Sequence, residues 1–485
     1  MDKIINRKIK IIQLLYSYKS SIEVEEIAKL MRLTKKTIRI ELIDLANYLK
    51  SNDYGIRIVN SRNKVFIERD IVMKLDELTF SLQKESIFFF FTNALFNNNL
   101  NKNDLEGRYH YSDSHFHFHK NKYIEYLENS DMKLSPNPFN IIGDEIIIRF
   151  YFYNFYWKNY GKIEWPFTSI KYEKLILIIE NIESATGISL NKIEKKKFAY
   201  WLAVIFKRTL NDDLLSSNQR IEKIIKLGEN ENFSFLIEEM FKNVSMVQHD
   251  LVFKEIDFIL SVMFMILDEK NFRNLFIEKF FIYEFGDIFD FSMQFCENIR
   301  ENFIFKDNND SFIIMTKLVY NEFYNGRVLS GNIKNDLNKY DLDEDSIVYK
   351  LFSKAYAQVI SKLFKKTNIF DKNKNQFLLW DNLKYIVFQI VDLRTFYPQL
   401  TIKINLERGY LEELNLRNSL KTLKYNFIYE INESRLTDLI ITDIDLEDIN
   451  NRSPYFIVNY IDAKINFNRL SYFIDKIVNT IYHLK

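Results

Sequence analysis

Residues 34–39, Thr-Lys-Lys-Thr-Ile-Arg, place cations and short hydroxyl side chains at the start of a predicted helix. This combination suits a nucleic-acid groove, because lysine and arginine bind phosphates while short polar side chains reach base edges. The candidate contact residues are Thr34, Lys35, Lys36, Thr37 and Arg39. Apolar residues recur at helical spacing on another face of the same helix, which we expect to be buried: Ile38, Leu42, Leu45, Ala46 and Leu49.

A second polar set lies in residues 110–120, which include the run Ser-His-Phe-His-Phe-His-Lys. The pair His115 and His119 has the i, i+4 spacing of two metal ligands, but no cysteine or carboxylate stands in register with it. Two other interpretations are open, a surface that faces DNA and an incidental polar surface. We favour the DNA-facing interpretation and predict no metal site. Its candidate residues are Ser112, Ser114, His115, His117, His119 and Lys120.

Sequence signatures of catalysis are missing from the chain. It contains no GxxxxGK[ST] phosphate loop and no GxGxxG, HExxH or GxSxG motif. Cys296 is the single cysteine, which excludes an intramolecular disulfide and a cysteine-rich zinc site. We therefore expect no enzymatic activity and no cofactor.

The elements that would position residues 34–39 are two short helices joined by a tight turn. The first is predicted over residues 24–31, with acidic side chains at its start where the helix dipole favours them. The second follows Thr34, a good N-cap residue. A support helix is predicted over residues 6–18 and a hairpin with a polar tip over residues 56–67. The hairpin cations could reach phosphates or remain on a solvated surface; they are Arg57, Arg62 and Lys64.

Composition and charge narrow the class of protein. With 485 residues, 10 Gly and 5 Pro, the chain is predicted to form several largely helical domains. Its net charge is +1, yet residues 1–70 hold 15 Lys+Arg against 9 Asp+Glu, whereas residues 395–485 hold 11 against 12. Positive charge is thus concentrated in the first 70 residues, as a DNA-binding domain on a neutral body requires. Without a secretory signal or a long apolar run, we expect a cytoplasmic protein with no membrane contact.

Residues 21–49 resemble the N-terminal winged helix-turn-helix of the Mga/AtxA-like regulators, whose members approximate the pattern LAEELGVSxRTIRxDIxxLN. The residues that match are Ile27, Ala28, Met31, Leu33, Thr34, Thr37, Ile38, Arg39 and Leu42. Arg32 stands where this pattern usually has glycine. We expect Arg32 to take the left-handed conformation at a cost of about 1 to 2 kcal/mol.

A second and more specific resemblance lies in residues 71–167. In this family a second winged domain ends in a phrase similar to NPFxxIGDExxIR…WPF, and this chain carries Asn137, Pro138, Phe139, Ile142, Gly143, Asp144, Glu145, Ile148, Arg149, Trp165, Pro166 and Phe167. Helices are predicted over residues 75–96 and 103–109, and another is predicted to be capped by Ser112. The resemblance places the histidine-rich run on this second recognition helix.

Residues 168–393 are predicted to be helical, with the clearest helices at 172–182, 192–210, 221–227, 233–243, 251–267, 312–324, 346–364 and 378–392. The resemblance identifies two phosphotransferase-system regulation domains here, in which relatives can carry phosphorylatable histidines. Asn211, Asp212 and Asp213 stand where relatives often have a histidine. His249 is the remaining candidate, although a structural histidine is the favoured interpretation. Regulation by HPr or other phosphotransferase components is thus an open alternative rather than our expectation.

The last segment alternates strands and helices, which is typical of a small parallel α/β domain. Strands are predicted at 400–405, 426–431, 438–442 and 455–458, and helices at 411–423 and 468–484. The segment resembles the enzyme IIB-like domain of the same family. Glu407, Arg408 and Gly409 occupy the region of its nucleophilic cysteine. We therefore expect dimerisation, a role that relatives assign to this domain, rather than phosphoryl transfer.

The resemblance implies a mainly α, multidomain protein. Its predicted domains are winged helix-turn-helix domains at 1–70 and 71–167, helical regulation domains at 168–288 and 289–393, and an enzyme IIB-like α/β domain at 394–485. The implied function is a cytoplasmic activator of virulence or adaptation genes that binds double-stranded promoter DNA as a homodimer or higher oligomer. Two alternatives stay open: an oligomeric signalling scaffold without DNA contact, and an RNA-binding antiterminator, which would need a small β-rich head instead.

Overall fold

The structure is a computed structural model that describes most of the chain. The described residues are 3–18, 20–61, 63–69, 74–98, 113–136, 139–216, 221, 224–226, 249–276, 283–329, 343–364, 376–407, 409–431, 436–444, 453–458, 460–461, 464–465 and 467–482. Two compact units can be distinguished. The first comprises residues 1–287 with 324–334, and the second comprises residues 288–323 with 335–485.

Unit 1 begins with a winged helix-turn-helix. Its elements are α1 (Lys3–Ser17), β1 (Ile22–Glu23), α2 (Val24–Met31), α3 (Lys35–Ser51), β2 (Ile56–Ser61) and β3 (Lys64–Arg69). The strands form an antiparallel sheet in the order β1-β3-β2, with Ile58 opposite Ile67 in the hairpin. The predicted support helix, helix pair and hairpin are therefore all confirmed.

A single apolar core joins the helices of this first domain. Ile12 of α1, Ile27 of α2 and Leu45 of α3 are fully buried in it. At its edge the Arg7 guanidinium lies 3.1 Å from Glu41, a carboxylate of α3 that is largely buried. This ion pair compensates the charge of Glu41 and ties α1 to α3.

The next elements form a second helix-and-hairpin region. They are α4 (Leu75–Lys84), α5 (Ile87–Phe96), α6 (Asp113–Glu128), β4 (Met132–Pro136), β5 (Phe139–Gly143) and α7 (Glu145–Tyr160). The predicted long helix over 75–96 is two helices, which meet at Glu85 and Ser86. The predicted helix at 103–109 lies outside the described residues. Strands β4 and β5 form an antiparallel hairpin directly after α6, which is the position of a wing.

The remainder of unit 1 is mostly helical. It contains α8 (Tyr172–Thr186), α9 (Lys192–Thr209), β6 (Ile224–Lys226), α10 (His249–Ile266), α11 (Glu269–Asn274) and β7 (Tyr283–Phe285). The helix predicted over 221–227 is wrong, because residues 224–226 form a strand that pairs antiparallel with 283–285. β-Branched Ile224 and Ile225 suit a strand, and their partner lies some 60 residues away, where local periodicity gives no information. The predicted helix 233–243 is not among the described residues.

Unit 2 contains four longer helices followed by an α/β region. The helices are α12 (Asp287–Asn302), α13 (Asn308–Tyr324), α14 (Ile347–Phe364) and α15 (Gln376–Ile390). A π-helical turn, Asn325–Leu329, follows α13 in the chain and belongs to unit 1. The helices predicted over 312–324, 346–364 and 378–392 are thus confirmed. Buried aromatic contacts hold this region together; for example, the rings of Phe291 and Phe323 meet edge-to-face at 4.8 Å.

The α/β region has a four-stranded parallel sheet in the order β11-β10-β8-β9. Its elements are β8 (Gln399–Asn405), α16 (Tyr410–Leu420), β9 (Asn426–Tyr429), β10 (Leu439–Thr442), β11 (Tyr455–Ile457) and α17 (Phe467–Ile481), with a two-residue strand pair, β12 (Tyr460–Ile461) and β13 (Lys464–Ile465), before α17. Leu400, Leu439 and Ile474 are fully buried in its core. The predicted parallel α/β arrangement is confirmed, whereas its relation to enzyme IIB stays a prediction.

Two general properties complete the fold. Among the described residues, no helix combines the length and apolar character needed to cross a membrane. The same residues contain no group of three or more His, Cys, Asp or Glu side chains placed to hold a metal ion.

Candidate nucleic-acid interface

Helix α3 has one buried face and one exposed face. Ile38, Leu45 and Leu49 are buried against the first core. At 100° per residue, the direction opposite to them is occupied by exposed side chains, namely Lys36, Ile40, Ile43 and Asn47. The helix therefore presents a continuous outer face about three turns long.

The start of α3 is organised by a hydroxyl cap. Thr34 has extended backbone angles, φ −76° and ψ 149°, and its side chain accepts a hydrogen bond from the Thr37 amide. The N···O distance is 3.1 Å, and the two threonine hydroxyl oxygens lie 2.8 Å apart. This bond satisfies one of the amides that a helix start leaves without an intrahelical partner. Thr34 is thus the N-cap that the sequence predicted.

The turn between α2 and α3 depends on Arg32. Its φ of 53° and ψ of 45° place it in the left-handed region, as expected at a position where relatives have glycine. Its amide donates to Lys29 O at 3.1 Å, and the Leu33 amide donates to Ala28 O at 2.9 Å. These bonds close α2 and set the angle at which α3 starts.

Two of the candidate cations on α3 are tied to neighbouring elements. Lys35 Nζ lies 2.8 Å from Glu25 Oε2 of α2, and this contact lowers the pKa of Glu25. Arg39 donates from Nη2 to Asn63 Oδ1 at the wing tip, at 2.8 Å. Both pairs are exposed, so phosphate oxygens could replace these partners at little cost. Lys36 is exposed on the outer face.

The wing places its cations at different positions. Arg57 is exposed in β2 across from Glu68 of β3, and Lys64 is exposed at the start of β3. Arg62 lies outside the described residues. Asn63, with φ 88°, makes the turn and is the residue that accepts from Arg39. The recognition helix and the wing are therefore connected at the exposed surface.

Helix α6 carries the candidate contact residues of the second predicted winged domain. Ser114 and His117 are exposed, whereas His119 and Lys120 are half-buried on the side of Tyr123 and Leu127. The Lys120 ammonium lies over the Phe139 ring of the second hairpin, 5.5 Å from its centroid. The predicted residue Ser112 and the side chain of His115 are outside the described part.

Buried hydroxyl groups fix α6 to its neighbours. Thr92 of α5, Tyr123 of α6 and Tyr151 of α7 meet pairwise, with oxygen separations of 2.6 Å for Thr92–Tyr151, 2.9 Å for Tyr123–Tyr151 and 3.0 Å for Thr92–Tyr123. Burial raises the pKa of both tyrosines, so they remain neutral donors. One hydrogen-bonded network thus holds three helices together at their centre.

A buried cluster of charges lies behind α7. The Arg149 guanidinium, fully buried, contacts Glu145 at 3.0 Å and both Glu255 oxygens at 2.6 and 2.9 Å. Burial by itself would lower the pKa of Arg149, but the two carboxylates outweigh it and raise the pKa. Arg208 binds the same Glu145 at 2.7 Å and Asp213 at 3.1 Å. Helices α7, α9 and α10 are therefore joined by paired charges.

Sequence comparison supports two winged helix-turn-helix domains, which we call the first head (residues 1–70, with α3) and the second head (residues 71–167, with α6). The M protein trans-acting positive regulator (MGA) HTH domain matches residues 2–61, and the Mga helix-turn-helix domain matches residues 72–156. These two segments of the chain are therefore similar to the helix-turn-helix domains of Mga-type regulators. The two matches contain α3 and α6, the helices that carry the candidate contact residues.

Curated relatives are regulators. The capsule synthesis positive regulators AcpB and AcpA of Bacillus anthracis are 28% identical over 236 residues and 26% identical over 216 residues. These alignments cover 47% and 43% of this chain and 48% and 43% of the relatives, so they span about half of each protein. A protein of Streptococcus pneumoniae serotype 4, named for a trans-acting regulatory role, is 22% identical over 97% of this chain and 94% of its own length.

The remaining candidate residues lie far from these helices in sequence. Residue 249 begins α10, but the His249 side chain is outside the described part. Cys296 is buried in α12, where burial raises the pKa of its thiol. After β8 the Glu407 amide donates to Asp443 Oδ1 at 2.8 Å, and Arg408 is outside the described residues.

The Thr34 cap can be tested by substitution. Thr34→Ala should remove about 1 kcal/mol of local stability, because the Thr37 amide loses its acceptor. Amide exchange of a peptide containing Thr37 should become about fivefold faster in hydrogen–deuterium exchange. Thr34→Ser keeps the oxygen and should exchange like the wild type; equally fast exchange in both variants would contradict the cap.

The buried charge cluster leads to a second prediction. Arg149→Met should destabilise α7, α9 and α10 by about 3 to 5 kcal/mol, because Glu255 would keep a buried charge without its cation. Hydrogen exchange of these three helices measures the loss. The double variant Arg149→Met/Glu255→Met removes both charges and should recover much of the protection. Equal exchange in the single and double variants would show that the charges are not the cause.

Proposed function

We propose that this chain is a transcriptional activator that binds double-stranded promoter DNA through α3 and the first wing. The observation that carries this proposal is the exposed outer face of α3 with its cations, in a domain that matches the Mga helix-turn-helix. The proposed contacts in the first head are Thr34, Lys35, Lys36, Thr37, Arg39, Arg57, Arg62 and Lys64. Two relatives are named as capsule synthesis positive regulators, which supports an activator, and we propose virulence or adaptation genes as the targets.

The charge distribution supports DNA as the ligand. The 15 Lys+Arg of residues 1–70 exceed their 9 Asp+Glu, and α3 begins with two lysines. In the docking geometry of helix-turn-helix proteins, the N-terminal residues of the second helix contact base edges while cations contact phosphates. Because Thr34 caps the start of α3, Lys36 lies on the outer face of the helix and Thr37 lies next to Lys36.

The second head would extend the same interface. We assign Ser112, Ser114, His115, His117, His119 and Lys120 to it, with exposed Ser114 and His117 as its best-supported members. The hydrogen-bonded network of Thr92, Tyr123 and Tyr151 fixes α6, so this head would meet DNA as a rigid surface.

We assign the remaining domains by the predicted boundaries, 168–288 and 289–393 for regulation and 394–485 for dimerisation through an enzyme IIB-like fold. Helix α16 supports self-association, because three apolar side chains are exposed together in its first turns: Tyr410, Leu411 and Leu414. Exposed apolar side chains that lie next to one another are a feature of interaction surfaces. Under this proposal the chain works as a homodimer or higher oligomer in the cytoplasm.

DNA binding has a quantitative test. The full-length double variant Lys35→Ala/Lys36→Ala should bind DNA more weakly in fluorescence anisotropy. The slope of log K against log salt should become shallower by about 1 to 2, because each lost phosphate contact removes about 0.9 released counterions. The DNA is the region upstream of the gene, beside an unrelated duplex of equal length.

The matched control is Lys174→Ala, an exposed lysine of α8 far from the proposed interface in sequence. It should leave affinity and salt slope unchanged. An unchanged slope in the double variant would refute the assigned contacts. No binding of the wild type even at low salt would refute the function and favour an oligomeric scaffold.

If the exposed apolar face of α16 forms the dimer interface, a charge introduced on that face should weaken the dimer. Leu411→Lys places a cation on a side chain that is 69% exposed, so the fold should tolerate it. Sedimentation equilibrium should show at least a tenfold weaker dimer if the face lies in the interface. The control Ile193→Lys changes a 65% exposed side chain of α9 and should leave the dimer intact. Dimers of equal strength would exclude α16 as the contact.

A further inference from the structure

The outer face of α3 contains two isoleucines that the sequence pattern does not explain. Ile40 is 52% exposed and Ile43 is 62% exposed, and neither belongs to the buried stripe of the helix. They are one turn apart and follow Lys36 by four and seven residues, so the three side chains share one face. An amphipathic surface helix normally places polar side chains there.

The surroundings of the isoleucines indicate what could cover them. Lys36 begins the same face, and Arg39 lies beside it, bonded to Asn63 of the wing. An apolar strip flanked by cations fits a major groove whose rims are lined by phosphates and whose floor carries thymine methyl groups beside the polar base edges. The surplus of cations in residues 1–70, 15 Lys+Arg against 9 Asp+Glu, favours DNA over a second copy of the chain, which would carry the same surplus.

One apolar group on the groove floor is specific to a base. Thymine carries a methyl group at C5, and contact with an apolar side chain is a way in which proteins distinguish it. Composition points the same way: 44 Phe and 29 Tyr, two residues with A+T-rich codons, indicate a genome rich in thymine.

We propose that Ile40 and Ile43 contact thymine methyl groups in the major groove. These contacts would make the two isoleucines specificity determinants of the first head. This inference rests on the proposed function, because it requires α3 to enter DNA. It adds two residues to the interface and names the chemical group that they recognise. Lys36 would bind a phosphate of the DNA backbone next to the two isoleucines.

The experiment removes the methyl group and nothing else. The full-length protein first selects a 30-base-pair duplex from a random library; this duplex is then synthesised with uracil in place of thymine. Wild-type affinity should fall about fourfold for each contacted methyl group, as expected for burial of one such group. In Ile40→Ala/Ile43→Ala the thymine and uracil duplexes should bind equally, because the partner of the methyl group is gone.

Controls separate the possible outcomes. Ile193→Ala, an exposed isoleucine of α9, should retain the wild-type thymine preference. Circular dichroism should show a folded double variant, because both isoleucines are exposed and alanine favours helix. If the double variant keeps the wild-type ratio, or the wild type binds both duplexes equally, the inference fails while DNA binding stands. A weaker dimer in the double variant with an unchanged ratio would assign the face to a second copy. If no duplex is selected, the proposed function fails as well.

Discussion

Unit 1 depends on keeping the buried charge of Arg149 compensated. An arginine cannot lose its proton inside a protein, so burial requires carboxylates at fixed positions. Glu145 and Glu255 supply them from α7 and α10, and Arg208 of α9 completes the cluster by donating to both carboxylate oxygens of Glu145. If any of these helices moved away, a charge would remain unpaired in the apolar interior. The free-energy penalty of such an unpaired charge keeps the three helices in fixed relative positions.

This constraint reaches the second head through α7. Most of this helix, up to residue 156, lies in the segment that matches the Mga helix-turn-helix domain, and it carries Glu145 and Arg149 of the charge cluster. Its Tyr151 joins Thr92 and Tyr123, which position α6. Through the hydroxyl network and the charge cluster, α7 therefore links α6 to α9 and α10.

The first head is joined to this body through α4. Leu78 and Leu82 of α4 are part of the first core, while Phe80 packs edge-to-face on Tyr160 of α7, with centroids 4.6 Å apart. One short helix thus contributes to two cores on opposite faces. The sequence of α4 shows apolar residues on both faces, but it does not show that Phe80 packs on Tyr160, because that partner is 80 residues away in the chain.

The predictable part of the candidate site is the local part. Thr34 as a cap, Arg32 in a left-handed turn and the buried stripe of α3 follow from hydrogen-bonding needs and helical spacing within about 20 residues. The partners of Lys35 and Arg39 do not follow in this way, because Glu25 and Asn63 meet α3 only after the helices and wing have packed. The sequence does show that Ile40 and Ile43 are apolar residues outside the buried stripe of α3. Only the folded structure shows that both side chains are exposed to solvent.

By itself the sequence determined the helix-turn-helix, the parallel α/β end and most helices, because their periodicity and caps are local. Tertiary structure decided the pairing of 224–226 with 283–285 and the burial of Arg149 among carboxylates up to 106 residues away. These features depend on contacts between distant segments, whose energies appear only when the chain is packed. The physical reason is that burial and charge compensation are properties of an environment, whereas helical periodicity is a property of neighbours in the chain.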